Sequence, residues 1–407
     1  AFPAAILRRC SPRITAERIA KIAALTEHSV LVLVDGGEHS ERDIDDLYDF
    51  LRAGQTPCVL LQTLRRFQRQ QSGRRQFWLD AELSDGEADR FRSAYASAAV
   101  TRNQILADLS EKRSSQRTAF FFGLSAFGKD FRGLDPYVQR RIQGLSEDQR
   151  RILAYISLAH YYGQHPIPAQ AFAGLLKLPR SRSLELPVAF RDPAAPALDL
   201  LVESGAGEWR SAHHVIALAI LERVLAPVGS KEPDKVWRQS LSSWAKSFAD
   251  FCRGDDQTPS DRLLELARRV FIYRDNVELL GTERAYQSRF GQLIEDIPSI
   301  QGQSEVLKHL TDRFPLEAHF HAHLGRFLAV NGDLTRSLKS VDFAISLQPD
   351  DPVLHHVRGM VLRYEIRRRQ EAGAAVQEIV ELAQDATGSF GEARRLAPDL
   401  EHGYISE

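Results

Sequence analysis

The feature that most constrains the fold is a six-residue stretch, Val30 to Asp35, which is apolar up to its last residue and β-branched at alternate positions. A continuous apolar run of this length, followed here by Gly36-Gly37, predicts a strand that is buried on both faces of a parallel sheet. Open parallel sheets bind their ligands at the carboxyl ends of the strands. Asp35 is therefore a candidate binding or catalytic residue.

A second strand of the same kind is expected after a helix. Glu41–Leu51 has apolar residues at helical spacing, and Cys58–Leu61 is the next apolar run, with Arg65 shortly after it. This order of strand, acid, helix, strand and arginine is typical of the second half of a P-loop nucleotide-binding domain, in which the acid holds Mg²⁺ and a later polar residue senses the γ-phosphate. The alternative is an ordinary buried β-α-β unit in which Asp35 caps a helix.

The first half of such a domain is missing from the sequence. No G-x-x-x-x-G-K-[ST] motif occurs, so the chain lacks the loop whose N–H groups surround the phosphates. Residues Ala1–Thr26 are predicted to be helical, which makes Val30 the start of the first expected strand. We therefore expect this chain to be the C-terminal part of a longer protein, in which the Walker A strand precedes Ala1.

Length and composition set broad limits. A chain of 407 residues indicates two to four domains, and a formal charge of −1 argues against a protein that is basic throughout. Cys10, Cys58 and Cys252 are too far apart in sequence to indicate a disulfide framework or a zinc site, which favours a reducing, cytoplasmic location. No apolar run is long enough for a membrane span.

Several local patterns fill the middle of the chain. Five arginines between Arg65 and Arg75 indicate either a solvated loop or a loop that faces an anion. Phe77–Leu79 is predicted to be a strand, Ser84 to begin a helix, and Phe120–Phe122 to be core residues of another helix.

A further unit begins with the capping box Ser146–Gln149. The helix that follows, a second helix over Gln170–Leu176 and two strands near Leu198–Val202 and Glu208–Arg210 are the parts of a winged helix. The second helix contains no Arg or Lys that could meet phosphate, so it is expected to pack internally, and nucleic acid is not an expected partner. His213, at the start of the next helix, is interpreted as a capping or buried residue in preference to a ligand.

The last third of the chain has a 34-residue period. Gly325 and Gly359 show this spacing, which is that of tetratricopeptide helix pairs, and Asn331–Asp333 predicts the turn within one pair. Such pairs stack and form a concave surface for a protein partner. An insertion is expected near Arg367–Ala386, because the alanine and proline of the second repeat come about fifteen residues late. These two residues are Ala344 and Pro349 in the first repeat and Ala393 and Pro398 in the second.

The run Arg367-Arg368-Arg369 lies within the expected insertion. It is interpreted as a solvated helix face, and its alternative is a contact for an acidic partner.

Taken in order, these parts resemble the signal-transducing NTPases called STAND proteins, and most of all their prokaryotic antiviral branch, which shares its core with the vertebrate sterile-alpha-motif antiviral proteins. The segments that carry the resemblance are Val30–Asp35, Cys58–Arg65, Phe121–Phe127, Asp130–Leu134, Trp209–Ala217, Val270–Asp275 and Leu293–Ile297.

The resemblance implies a switch that is held closed by an ADP-like nucleotide. A trigger protein, viral in the antiviral branch, engages the repeats, ATP replaces ADP, and the molecule oligomerises and activates an effector. Asp35 then corresponds to the Walker B acid that binds Mg²⁺, Arg65 to the residue after the sensor strand, and His213 to the winged-helix histidine that contacts the nucleotide's phosphates. Gly36 stands where many members have a second catalytic acid, and Glu38 is the nearest substitute.

The expected fold class is therefore mainly α with an N-terminal α/β part. ATP hydrolysis is expected only together with an upstream phosphate loop. Two alternatives stay open, a non-catalytic repeat scaffold with a degenerate NTPase domain and a winged-helix transcription regulator. The expected divisions are a partial P-loop NTPase sheet at 1–100, a helical linker domain at 101–144, a winged helix at 145–228, a helical domain at 229–313 and a tetratricopeptide-like solenoid at 314–407.

Overall fold

The computed structural model is mainly helical, with a small parallel sheet near its N-terminus. The chain divides into two compact units, with the change at Val224–Leu225. The finer division into five parts stays a prediction. In the described part of the chain, no helix is both long and apolar enough to cross a membrane. The structure describes residues 3–7, 10–35, 41–63, 82–96, 103–111, 117–127, 131, 133–179, 184–191, 193–205, 207–227, 229–230, 232–254, 260–272 and 290–398.

The N-terminal sheet has three parallel strands in the order β1-β2-β3. The central strand is the expected one, and its register with β3 runs from Val30 opposite Cys58 to Asp35 opposite Thr63. The two connecting helices each follow one strand and lead to the next. The elements are β1 Ala4–Leu7, α1 Pro12–Thr26, β2 Val30–Asp35, α2 Glu41–Ala53 and β3 Cys58–Thr63.

The prediction of a helix over the whole of Ala1–Thr26 is wrong in its first third. Ala4–Leu7 forms β1, which pairs with β2 from Ala4 opposite Leu31 onwards. The helix begins only at Pro12, a residue that suits the first turn because it has no N–H to leave unpaired. The four residues of β1 show neither a helical nor a strand pattern of apolar and polar side chains. Their pairing with β2 therefore determines their conformation.

The sheet is buried on one face only, which corrects the expectation of strands buried on both faces. Side chains of α1, α2 and alternate residues of β2 form a single core, so both helices lie on the same side of the sheet. On the other side, Val59 of β3 is 58% exposed and Leu61 is 49% exposed. The core residues that β2 and α2 contribute are Val30, Val32, Val34, Ile44, Leu47 and Leu51.

Three helices follow the sheet in the sequence and share a small core. The start of the first is as predicted, since the Ser84 N–H donates to a Glu87 carboxylate oxygen at 2.9 Å. Phe122, fully buried, packs with Ala88 and Leu106, which confirms the core role expected for this aromatic residue. The predicted strand Phe77–Leu79 lies outside the described residues. The helices are α3 Asp85–Ala96, α4 Asn103–Glu111 and α5 Ala119–Phe127.

The remainder of the first unit is built around one long buried helix, α7. The capping box at its start is present, since Ser146 and Gln149 exchange side-chain to backbone hydrogen bonds. A second sheet, antiparallel and in the order β4-β6-β5, packs on it through a hydrogen bond between the hydroxyls of Ser157 and Ser211. The elements are α6 Leu134–Ile142, α7 Glu147–Gly163, β4 Ile167–Pro168, α8 Leu186–Ala189, β5 Leu201–Gly205, β6 Glu208–Ser211 and α9 His214–Leu225.

The helix predicted over Gln170–Leu176 is wrong. The segment is a short 3₁₀ turn, Ala169–Phe172, followed by further turns. The predicted helix would have to begin near Ala169. The N–H of Ala169 instead donates to the carbonyl oxygen of Gly207 at 2.7 Å, which ties this segment to the loop between β5 and β6. The expected strand over Leu198–Val202 is shifted as well and begins at Leu201.

The second unit is helical throughout its described residues. Buried residues of its first long helix, among them Leu241 and Phe248, match the predicted apolar face. The elements are α10 Pro233–Val236, α11 Leu241–Arg253, α12 Asp261–Phe271, α13 Gln292–Asp296, α14 Ile300–Arg313, α15 Ala318–Val330, α16 Leu334–Leu347, α17 Pro352–Glu371 and α18 Val376–Leu396.

Candidate functional site

The carboxyl ends of β2 and β3 bring two polar residues together, one of which, Asp35, was predicted as a site residue. Asp35 is the last residue of β2 and lies directly opposite Thr63, the last residue of β3. The Thr63 hydroxyl donates to the carbonyl oxygen of Val34 at 3.4 Å. A carboxylate and a hydroxyl on neighbouring strand ends are oxygen ligands of the kind that Mg²⁺ takes together with phosphate and water oxygens.

Gln62 adds a hydrogen-bond donor at the end of β3, on the face of the sheet that α1 and α2 cover, whereas Thr63 lies on the open face. It lies opposite Val34, and its amide nitrogen Nε2 is buried without a hydrogen-bond partner. A buried donor without a partner is costly, so it marks a place where an acceptor such as a water or phosphate oxygen would be stabilised. Gln62 and Thr63 were not predicted as site residues, although polar residues at the end of an apolar strand, next to a strand that ends in Asp, are a usable sequence signal.

Glu38 and Arg65 both lie outside the described residues, as does the arginine-rich segment after β3. Their roles as a second acid and as a phosphate-sensing residue stay predictions. No group of three or more His, Cys, Asp or Glu side chains suited to a metal ion occurs among the residues that the structure describes.

His213 caps helix α9, as its position in the sequence predicted. Its ring nitrogen Nδ1 accepts a hydrogen bond from the N–H of Val215 at 3.3 Å. An accepting Nδ1 carries no proton, so in the neutral ring the proton is on Nε2. The imidazole therefore presents Nε2–H as a donor, which is the hydrogen-bonding group that a phosphate oxygen requires.

An aromatic stack fixes the plane of the His213 ring. Phe120, at the start of α5, lies parallel to the imidazole, with ring centres 3.8 Å apart and planes inclined by 4°. The ring centre of the adjacent His214 lies 4.2 Å from that of His213. The contact joins α5 to α9. Phe120 therefore differs from its neighbours Phe121 and Phe122, which are buried core residues.

The helix pairs α15–α16 and α17–α18 repeat the same contacts at the 34-residue spacing. Gly325 is the eighth residue of α15 and Gly359 the eighth residue of α17. A Cβ at Gly325 would lie 2.4 Å from Cγ2 of Val341, and one at Gly359 would lie 2.5 Å from the ring of Phe390. The glycines are thus points of close approach between the two helices of each pair, and the 34-residue period is present in the structure.

Two histidines show the same period. His321 Nε2 lies 3.0 Å from the carbonyl oxygen of Pro315, and His355 Nε2 lies 2.8 Å from that of Pro349. Both contacts tie the first turn of a helix to the segment that precedes it. The two prolines and the two histidines are each 34 residues apart, so this part of the repeat was also visible in the sequence.

The expected insertion takes the form of longer helices. α17 has 20 residues against 13 in α15, and α18 has 21 against 14 in α16, so each is seven residues longer. The extra turns lie at the end of α17 and the start of α18, on either side of a turn in which Gly373 has a φ of +70°. We call these residues, 365–382, the helical extension.

Two of the three consecutive arginines, Arg367 to Arg369, make hydrogen bonds and ion pairs within the chain. Arg368 donates to the carbonyl oxygen of Gly332 at 2.7 Å, and both Arg368 and Arg369 bind the buried carboxylate of Glu365. Arg369 also pairs with Glu378 across the extension at 2.8 Å. These two side chains are therefore intramolecular contacts and not simply a solvated face, whereas Arg367 is exposed.

The sequence matches no protein-family model, and neither a curated protein nor a solved structure was found to match the chain.

Proposed function

We propose that this chain is the core and sensor of a nucleotide-regulated switch of the STAND kind, in which nucleotide binds at the ends of β2 and β3 and the helix pairs bind a trigger protein. The observation that carries the proposal is the register of Asp35 with Thr63 at the carboxyl ends of two neighbouring parallel strands. Open parallel sheets bind ligands at this edge.

The nucleotide would be ATP or ADP with Mg²⁺. A bound magnesium ion would draw charge from the phosphates and hold them in position. Asp35 would bind it directly or through water, and Thr63 and Gln62 would orient water or phosphate oxygens. Because the sequence contains no phosphate loop, hydrolysis would need such a loop from an upstream segment, with Glu38 and Arg65 as the further expected contributors.

His213 supports the regulatory part of the proposal. Its capped, stacked ring is held in one orientation, and its Nε2–H is a donor suited to a phosphate oxygen. A histidine that binds nucleotide in the closed form would link α9 to the nucleotide state. Opening, self-association into an oligomer and action in the cytoplasm in antiviral defence belong to the same proposal.

The scaffold alternative is favoured by one specific observation, the two stacked helix pairs with their matched glycines. In that case the repeats alone would account for function, and mutation at Asp35 would have no effect on it. The transcription-regulator alternative has less support, because the expected recognition helix is a 3₁₀ turn.

The test is magnesium-dependent binding of a fluorescent ATP analogue to the full-length gene product. We expect Asp35→Ala to weaken binding by about tenfold or more, and omission of Mg²⁺ to have a similar effect, because both remove the metal bridge to the phosphates. Asp49→Ala is the control, since Asp49 is an exposed acid on α2 and lies in the same folded region. Residues 1–407 alone should bind ATP weakly or not at all, because a phosphate loop supplies most of the donors.

Equal affinity of the wild-type and Asp35→Ala proteins would overturn the site and leave the scaffold as the better explanation. Micromolar ATP binding by residues 1–407 in calorimetry would instead show that this chain holds nucleotide without an upstream loop.

A further inference from the structure

The outer surface of helix α1 combines basic charge with exposed apolar side chains. Arg18 and Lys21 are exposed near the middle of the helix. Ile14, before them, is 52% exposed, and Leu25, after them, is 75% exposed. Steps of three or four residues place these side chains on one side of α1, opposite the buried Ile19. We call the four exposed residues the basic stripe.

The outer surface of helix α2 has the opposite charge. Asp46 and Asp49 are exposed, and Phe50, one turn after Asp46, is 46% exposed. These three residues are three or four positions apart and lie side by side, outside the buried stripe that contains Leu47 and Leu51. We call them the acidic stripe.

The charges of both stripes are not neutralised within their own chain. In the part of the sequence that the structure describes, neither the two bases nor the two acids take part in an ion pair. By contrast, Arg13 and Glu17 of α1 pair with each other at 3.3 Å. The four charges of the stripes can therefore pair with charges on another molecule.

The fold holds the two stripes side by side and level with each other. α1 and α2 each connect neighbouring strands of one parallel sheet, so they run in the same direction, and they pack together on the same face of the sheet. The Cys10 thiol, just before α1, donates to the carbonyl oxygen of Asp43 in the first turn of α2 at 3.7 Å, which brings the two helix starts together. Lys21 and Phe50 are each the tenth residue of their helix. The charged residues of the two stripes therefore lie at the same height.

We infer that this chain forms a two-fold symmetric dimer in which the basic stripe of each copy packs on the acidic stripe of the other. A two-fold axis parallel to the helices brings α1 of one copy onto α2 of its partner and forms the same contact a second time. Rotation about such an axis does not change the height of a residue along it. Arg18 and Lys21 therefore remain level with the acidic stripe of the partner subunit.

Charge complementarity favours a second copy of this chain over an unrelated protein. A basic partner would match α2 alone and an acidic partner α1 alone, whereas a second copy matches both helices at once. Exposed ion pairs contribute little individually, so Leu25 and Phe50 have to supply apolar contact as well. Two helices of about 20 Å length, spaced by about 10 Å, give a small interface. The dimer should therefore be weak and sensitive to salt.

The dimer does not rest on the proposed function, although it would supply a contact for the self-association proposed there. It needs neither nucleotide nor trigger, so the two can fail separately. Nucleotide binding by a monomeric chain would reject the dimer and keep the switch, and a dimer without nucleotide binding would do the reverse. Asp49→Ala removes one acid of the contact but none at the strand ends, so it remains a control for nucleotide binding.

The experiment measures the molar mass of the whole 407-residue chain by sedimentation equilibrium at increasing protein concentration, without nucleotide. We expect a monomer–dimer equilibrium that shifts to monomer with added salt. R18E/K21E and D46K/D49K should each weaken dimerisation by about tenfold or more, because like charges then meet across the contact. The control K308E/K339E makes the same change of net charge as R18E/K21E at exposed lysines of α14 and α16, and it should dimerise like the wild type.

A mixture of the two charge-reversed variants tests the pairing directly. R18E/K21E carries acid on both helices and D46K/D49K carries base on both, so each variant repels itself but matches the other at both contacts. Their equimolar mixture should form a heterodimer about as readily as the wild type forms its dimer. The variant that combines all four substitutions should dimerise by itself again.

Four results would overturn the inference. They are a wild-type chain that stays monomeric up to submillimolar concentration, an equal loss in the control, which would reflect net charge alone, a mixture that does not dimerise, and growth beyond a dimer, which a closed two-fold contact does not allow. Circular dichroism of each variant checks that the helices remain folded.

Discussion

The two helix pairs of the second unit have the same plan but are held together differently. In α15–α16 the helices meet at Gly325, where the nearest neighbours are the β-branched Val341 and the backbone carbonyl of Ser337. In α17–α18 they meet at Gly359 against the ring of Phe390, and the helical extension adds ion pairs around Glu365. Close backbone approach therefore characterises the helix contact in the first pair, whereas ion pairs stabilise the extra helical turns of the second pair.

The largest expected effect is that of a methyl group at the first glycine. Gly325→Ala should lower the free energy of unfolding by about 2 kcal/mol, because its Cβ overlaps with a stiff side chain and lies 3.0 Å from a backbone oxygen. Gly359→Ala should cost less, about 1 kcal/mol, since its nearest neighbours are all atoms of one side chain, Phe390, whereas Gly325 also meets a backbone oxygen. Urea unfolding followed by circular dichroism measures both.

A second substitution sharpens this comparison. Val341→Ala in the Gly325→Ala background should recover much of the lost stability, because it removes the overlapping methyl group. Equal losses in the two single glycine variants would contradict the proposed difference between the pairs.

The next effect is loss of charge pairing in the helical extension. Burial raises the pKa of Glu365, but hydrogen bonds from Arg369 and Arg368 outweigh it and hold the pKa below its usual value. The stabilisation is therefore fully present above about pH 4.3 and is lost as the pH falls through the lower folded-state pKa. Glu365→Gln should lower stability by about 1 to 2 kcal/mol at neutral pH, a range reduced for the half-exposed arginines.

Unfolding of this variant at a series of pH values checks the assignment. The difference between wild type and Glu365→Gln should shrink below about pH 4. A difference that is independent of pH would indicate that packing, and not charge, accounts for the role of Glu365.

The smallest effect concerns the caps of the two pairs. Asp333 accepts from the N–H of Arg336 and starts α16, while Asp351 accepts from the N–H of Val353 and starts α17. Each Asp→Ala change should cost about 1 kcal/mol. Asp351→Ala should cost more, since His319 of α15 lies 3.2 Å from its carboxylate and is the main cause of its lowered pKa. Thermal unfolding of both variants at pH 7 compares them, and a larger loss for Asp333→Ala would contradict this order.

Elements that depend on local sequence could be predicted. The strand Val30–Asp35, helix α2, the capping box at Ser146 and the 34-residue period are each encoded in a few neighbouring residues or in a regular spacing. The insertion could be predicted as extra length near Arg367–Ala386. Its form as two longer helices could not, because that depends on pairing between α17 and α18.

Elements that depend on partners distant in sequence were missed. Ala4–Leu7 is a strand only because β2 lies beside it, and the open face of β3 follows from both helices lying on one side. At the candidate site, the position of Asp35 was predictable from the strand pattern. The donor of Gln62 and the stack of Phe120 on His213 were not, since each depends on residues brought together by the fold.

The helical extension indicates which insertions a helix pair of this kind can accommodate. Seven residues are close to two helical turns, so the buried stripe of each longer helix drifts by only about 20° and continues to face its partner. Each helix gains about 10 Å. Because the added residues are equal in number on both helices, the turn that joins them simply moves outward and the spacing between successive pairs is unchanged. Insertions here would therefore be tolerated in matched steps of two turns, whereas an insertion in one helix alone would rotate its apolar side chains out of the contact.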